Sequence, residues 1–406
     1  MNRVLVAGIL AVAFIACLIP STASAGSGRI YGTIRTIDGE EFEGWIRWDK
    51  NEAYWDDILD VTKYNEHRKK YRRKSDRGRS RESFFGISIS GIYSDGSRQS
   101  ELKFGHIRSI VPLSSSEALI TLKSGEEYEM TGSDLGTSVR DIAVLDKDEG
   151  EVYFDWDDID EILFSEESGA PDDGAERLYG KLTTRRGDEY VGWIEWDVDE
   201  VMSTDILDGD EGRRRNRKIR FDKIQVIERR SNSSVLLTLK SGKEMKLSGS
   251  NDVNSENRGI RVKSAELGRV SVDWSEFDKV EFMTVPTDKL LSYSSFDGGR
   301  ELKGTVFTED GEQFTGKIIW DDDEMYTWEH LNGEYRDIEY DIELANIATV
   351  EKQSRRGSVI TTKAGRNVVM RGSNDVDSDN NGIIIETEDG DEIEIDWYDF
   401  QKAEFK

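Results

Sequence analysis

One stretch of sequence is written three times in this chain, and that repetition limits its possible folds more than any other feature. The run Gly32-Thr-Ile34-Arg-Thr36-Ile-Asp38-Gly39-Glu40-Glu-Phe42-Glu-Gly44-Trp45-Ile46-Arg-Trp48-Asp49 returns from Gly180 to Asp197 and again from Gly304 to Asp321 with each landmark in place. The endings also recur, as Trp156-Asp-Asp-Ile159, Trp274-Ser-Glu-Phe277 and Trp397-Tyr-Asp-Phe400, each followed by a hydrophobic residue and a Phe. Copies at this spacing are duplicated domains; short-period solenoids and Trp-Asp propellers repeat far more often. The boundaries follow: 28–164, 177–283 and 300–406, with linkers at 165–176 and 284–299, where Ser, Gly and Pro collect. The first copy is longer because of a basic insertion at about 61–103.

Within each copy the hydrophobic period is two. Ile34 and Thr36, then Phe42, Gly44, Ile46 and Trp48, alternate with polar residues across Asp38-Gly39, a strong hairpin signal. Almost no stretch has helical periodicity, so the fold class is all-β. The closing spacing suits a strand, one tight helical turn and a final short strand. Phe221-Asp-Lys-Ile224 echoes it halfway through copy two. Each repeat therefore reads as two modules of about 50 residues. Their shape resembles the SH3-like and Sm-like small antiparallel barrels. The resemblance is architectural, because no motif of the RNA-binding Sm proteins is present and their function does not carry over.

Composition narrows the function classes. The 406 residues carry 83 Asp and Glu against 55 Lys and Arg, a formal charge of −28, which disfavours general nucleic-acid binding. Ten Trp argue against disorder despite 34% charged residues. Residues 1–25 read as a secretory signal peptide: Arg3, an apolar run from Val4 to Ile19, then Ala23-Ser24-Ala25 before Gly26. A membrane anchor is the alternative, but the run is short and Pro20 interrupts its end. The only Cys, Cys17, lies inside this leader, so the exported chain would have no disulfide, thiolate metal site or Cys nucleophile. No later segment is apolar enough to span a membrane. The expected location is periplasmic or secreted.

Three features could bind something. Asp375, Asp377 and Asp379 alternate in Ser373–Ile383, with Glu386 at the twelfth position, as oxygen ligands around calcium do; Asp252, Asn254 and Glu256 match them in copy two. The alternative is a loop that caps its own backbone through Asx-turns. The basic insertion, with Arg68, Lys69, Lys70, Arg72, Arg73 and Lys74, and its smaller counterpart Arg213, Arg214 and Arg215, could engage anions. Either run could equally be a solvated loop. Trp48, Trp196 and Trp320, each followed by Asp, could stack on sugars, although their place at strand ends favours core packing.

For catalysis the inventory is thin. His67, His106 and His330 stand in unrelated contexts, and no phosphate-binding or dinucleotide motif occurs. The expectation is a non-enzymatic binding or scaffold protein of the cell envelope, with an envelope protein or polysaccharide as partner. It requires no cofactor, and calcium is the one stabiliser the pattern suggests. The alternative is a carbohydrate-binding or carbohydrate-active protein using exposed Trp and carboxylates.

Overall fold

The computed structural model describes residues 27–64, 97–167, 169, 171–212 and 215–406. The leader, most of the basic insertion, Arg213 and Arg214 lie outside them. The fold is all-β with three antiparallel sheets, and no helix of the described residues is long and apolar enough to cross a membrane.

Repeat one supplies ten strands: β1 (Tyr31–Thr36), β2 (Glu41–Trp48), β3 (Ile58–Tyr64), β4 (Ser97–Lys103), β5 (Ile107–Ser114), β6 (Glu117–Leu122), β7 (Glu127–Thr131), β8 (Ile142–Asp146), β9 (Gly150–Phe154) and β10 (Ile159–Phe164). Their order in the sheet is β4-β3-β7-β6-β5-β10-β1-β2-β8-β9. Repeat two, from β11 (Tyr179–Thr184) to β20 (Phe277–Phe282), uses the same order strand for strand. The tight turns stand where the spacing predicts them. Single 3-10 turns at Trp156–Asp158 and Phe221–Lys223 each lead straight into a strand.

The repeated glycines have a steric cause. Gly32 faces Gly44 across the first hairpin, as Gly180 faces Gly192 and Gly304 faces Gly316. A Cβ at Gly44, Gly192 or Gly316 would run into the carbonyl oxygen of Leu145, Lys263 or Glu386 on the next strand. Backbones this close leave no room for any side chain.

Repeat three departs from the pattern. Its hairpin β23 (His330–Tyr335) and β24 (Ile338–Glu343) extends the sheet of repeat two, with β24 pairing antiparallel to β19 (Gly268–Val272). A bridge between Glu334 and Arg371 still ties the hairpin to its own repeat. Repeats two and three consequently share one hydrophobic core, whereas repeat one builds a second, which Trp328 of repeat three also enters. The 284–299 segment is more than a linker. Tyr293 and Phe296 insert into the core of repeat one, Tyr293 lying 4.5 Å from the Trp55 ring, and the Lys123 Nζ donates to both of their carbonyls. Two aromatic anchors outweigh the Ser and Gly around them.

Candidate metal centre

Each hairpin that ends in Trp-Asp turns back through residues in the left-handed region: Asp49 and Lys50, Asp197 and Val198, Asp321 and Asp322. Asp tolerates that conformation better than most residues. The turn brings a Glu back opposite the Trp, pairing Trp48 with Glu52, Trp196 with Glu200 and Trp320 with Glu324. The Trp indole Nε1 then donates to the backbone oxygen of an Asp from a distant loop, namely Asp134, Asp252 or Asp375, at 2.9–3.0 Å. Every repeat thus assembles an Asp, a Glu and a second Asp around one buried indole.

The three sites differ at one aligned position. In repeat one the Arg140 side chain reaches Asp49 at 2.9 Å, and in repeat two the Arg258 side chain reaches Asp197 and Asp199. At the same place in repeat three stands Asn381. Its backbone N–H still donates to Asp321, as those of Arg140 and Arg258 do to Asp49 and Asp197, but it brings no charge. Here Asp321, Glu324 and Asp375 each place a carboxylate oxygen within 4.8 Å of the others.

Burial, followed by Asp375 and other neighbouring acids, pushes the Glu324 carboxyl well above its ordinary range. Glu200 is pushed up to about 9 by burial and by Asp252 and Asp197. Oε2 of Glu52, Glu200 and Glu324 is buried with no hydrogen-bond partner in each case. Three hard oxygen donors with an unmatched buried carboxylate fit Ca²⁺, Mg²⁺ or Mn²⁺ by donor type.

Of the residues nominated from sequence for a metal, the structure brings only Asp375 into this cluster. Asp377 accepts from the Asp379 backbone N–H at 2.9 Å, and Asn254 from that of Glu256 at 2.6 Å, both Asx-turns. Asp252 accepts from the Asp208 N–H, and Glu386 sits on a strand opposite Lys317. Asp321 and Glu324 lie outside that loop, and the sequence signal for them is the thrice-repeated Trp-Asp-x-x-Glu spacing.

Trp48, Trp196 and Trp320 are corrected as stacking residues. All three have no exposed surface, and a sugar needs an open ring face. Of the basic residues, Arg68, Lys69, Lys70, Arg72, Arg73, Lys74, Arg213 and Arg214 fall outside the described residues. Arg215 is exposed, 3.8 Å from Glu211.

A second set of charges is buried between repeats. Asp57, Asp205 and Glu329 occupy one aligned position, and each caps the turn before it by accepting two backbone N–H groups. Each also takes a cation from another repeat. Arg177 and Lys263 reach Asp57 at 2.9 Å, Arg47 forks onto Asp205 at 3.0 and 3.1 Å, and Lys63 pairs with Glu329. Arg269 joins Asp341 at 2.7 Å and Glu101, while Lys103 and His106 meet on Glu343. Burial alone would raise Glu195, but Lys263 and Arg261 hold it down at about 2. Burial pushes His330 down to about 3, so it is neutral at pH 7.

A cleft of about 560 Å³ between repeats one and two is lined by Arg29, Tyr54, Arg177, Met283 and Leu290. Its two arginines are already bound to Asp173 and to Asp56 and Asp57. No family model, no curated protein and no solved structure matches this chain.

Proposed function

We propose that the chain is an exported, non-enzymatic scaffold or binding protein of the cell envelope. Three β repeats act as one rigid body, and repeat three carries a divalent-cation site made by Asp321, Glu324 and Asp375. The observation that carries the cation is the gathering of three carboxylate oxygens within 4.8 Å of one another, one of them from Glu324, whose buried Oε2 has no hydrogen-bond partner. Calcium suits the all-oxygen donor set. The scaffold reading draws support from the ion pairs between repeats and from the two described histidines. His106 is tied to Glu343 at 2.9 Å and His330 to the Glu101 carbonyl at 2.9 Å, so both are engaged in holding the repeats together. The division of each repeat into two small barrel-like modules belongs to the same reading, supported by the two tight-turn-and-strand units of each repeat, both of them 3-10 turns in repeat one.

Calorimetric titration with CaCl₂ tests the site. One equivalent should bind, and binding should release a proton, because a cation favours ionised Glu324. The heat will then change with the ionisation enthalpy of the buffer. Asn381→Arg should abolish binding by adding a positive charge beside Asp321. Binding that survives both Asn381→Arg and Glu324→Gln would place calcium elsewhere. Export is checked by the N-terminus of the protein recovered outside the cytoplasm, which should begin at Gly26.

A further inference from the structure

The joint between repeats two and three is made by two sheet edges, and two of its counterparts, β14 and β29, end their sheets among the described residues. In that joint β19 pairs antiparallel with β24, setting Arg269 opposite Asp341 with a 2.7 Å ion pair. Alignment on the closing Trp places Glu392 of β29 (Glu392–Ile395) at the position of Arg269. Alignment on the internal turn, Leu344 with Phe221, places Lys218 of β14 (Arg215–Arg220) at the position of Asp341. Both ends of the joint are therefore present a second time, with the signs of the central ion pair exchanged.

Both strands are open. β29 is outermost in the sheet of repeat three and β14 outermost in that of repeat two, among the described residues. β14 carries Arg215, Arg217, Lys218 and Arg220, and the side chains of Arg215 and Lys218 are 71% and 72% exposed. β29 presents exposed Glu392 and Glu394, flanked by Glu388, Asp389, Asp391 and Asp396. Unpaired edges like these are templates for another strand, and charge decides which strand is admitted.

We propose that the β29 edge of one molecule receives the β14 edge of a second copy of this chain, in the register of the β19–β24 joint. That register sets Glu392 opposite Lys218, Ile393 opposite Arg217, Glu394 opposite Asn216 and Ile395 opposite Arg215. Opposite charges directly across antiparallel strands stabilise the pairing. The contact joins unlike surfaces, so each added copy offers a fresh edge and growth is head to tail. The corresponding edge of repeat one, β9, carries Glu151 at the same aligned position and is the competing acceptor, but it presents one acid on the strand where β29 presents two, Glu392 and Glu394. This assembly does not depend on the cation site.

Sedimentation velocity over a concentration range tests it. The purified protein should form concentration-dependent oligomers at low salt that dissociate at high salt. Lys218→Glu and Glu392→Lys should each weaken self-association at least tenfold, since each sets like charges face to face. Mixing the two variants in equal amounts should restore assembly, because each then meets its complement. Both residues are exposed, and unchanged melting temperatures will show that the variants fold. The proposal is overturned if the wild type stays monomeric throughout, if either variant associates like the wild type, or if the mixture stays monomeric. It is also overturned if Glu151→Lys abolishes assembly while Glu392→Lys leaves it intact.

Discussion

At the residue scale the protein runs on carboxylates whose surroundings push them in opposite directions. Glu195, flanked by Lys263 and Arg261, is held down at about 2, whereas Glu200, buried beside Asp252 and Asp197, is pushed up to about 9. The folded state therefore binds the Glu200 proton more tightly than the unfolded chain does. That contribution is complete below the unfolded value of about 4.3 and is lost as pH rises toward 9. Glu200→Gln should match the wild type near pH 5 and exceed it by roughly 1–3 kcal/mol near pH 9, as measured by urea denaturation at each pH. An advantage that is the same at every pH would remove the charge explanation. The Trp-Asp turn also contains a strained residue. Val198 has a φ of 59°, which a β-branched residue rarely adopts. Val198→Gly should raise stability by about 0.5–1 kcal/mol, and a loss would show that its side-chain packing outweighs the strain.

At the element scale, much of the fold could be read from period and turn chemistry. The Asp-Gly turns, the alternating strands and the closing turn before Ile159 or Phe277 are local, and each repeat states them again. Other features are set by partners far away in sequence. The hairpin pattern is the same in β24 and its counterpart β14, which differ in charge, yet of these two only β24 pairs with a strand of another repeat among the described residues. Arg177, Lys263 and Arg269 have the outward-facing look of strand charges, although all are 9% exposed or less, because the faces they occupy meet another repeat. For the same reason Asp57, Asp205 and Glu329 read as surface acids. One of the three residues of the cation site, Asp375, was legible from its loop, while Asp321 and Glu324 belong to a hairpin turn whose Trp marks a strand end. The Gly pairs make the sharpest element-level prediction. Gly192→Ala should cost about 2 kcal/mol or more, because its Cβ meets backbone that cannot shift cheaply. Gly187→Ala, in an open turn where φ is 87°, should cost less, about 1 kcal/mol.

At the scale of the whole molecule, the central claim is that the three repeats are one cooperative body. Repeats two and three share a sheet and a core, Tyr293 and Phe296 anchor the following segment in repeat one, and buried ion pairs join repeat one to both others. Removing one partner of such a pair leaves the other buried and uncompensated, at a cost of about 3–5 kcal/mol. Asp57→Ala should therefore destabilise all three repeats together, although it changes only repeat one. Differential scanning calorimetry of the wild type and Asp57→Ala tests this most directly. The account predicts a single transition in each, with calorimetric and van 't Hoff enthalpies equal, and a lower midpoint in the variant. Two or three separate transitions in the wild type, or a shift in the variant confined to one of them, would contradict it.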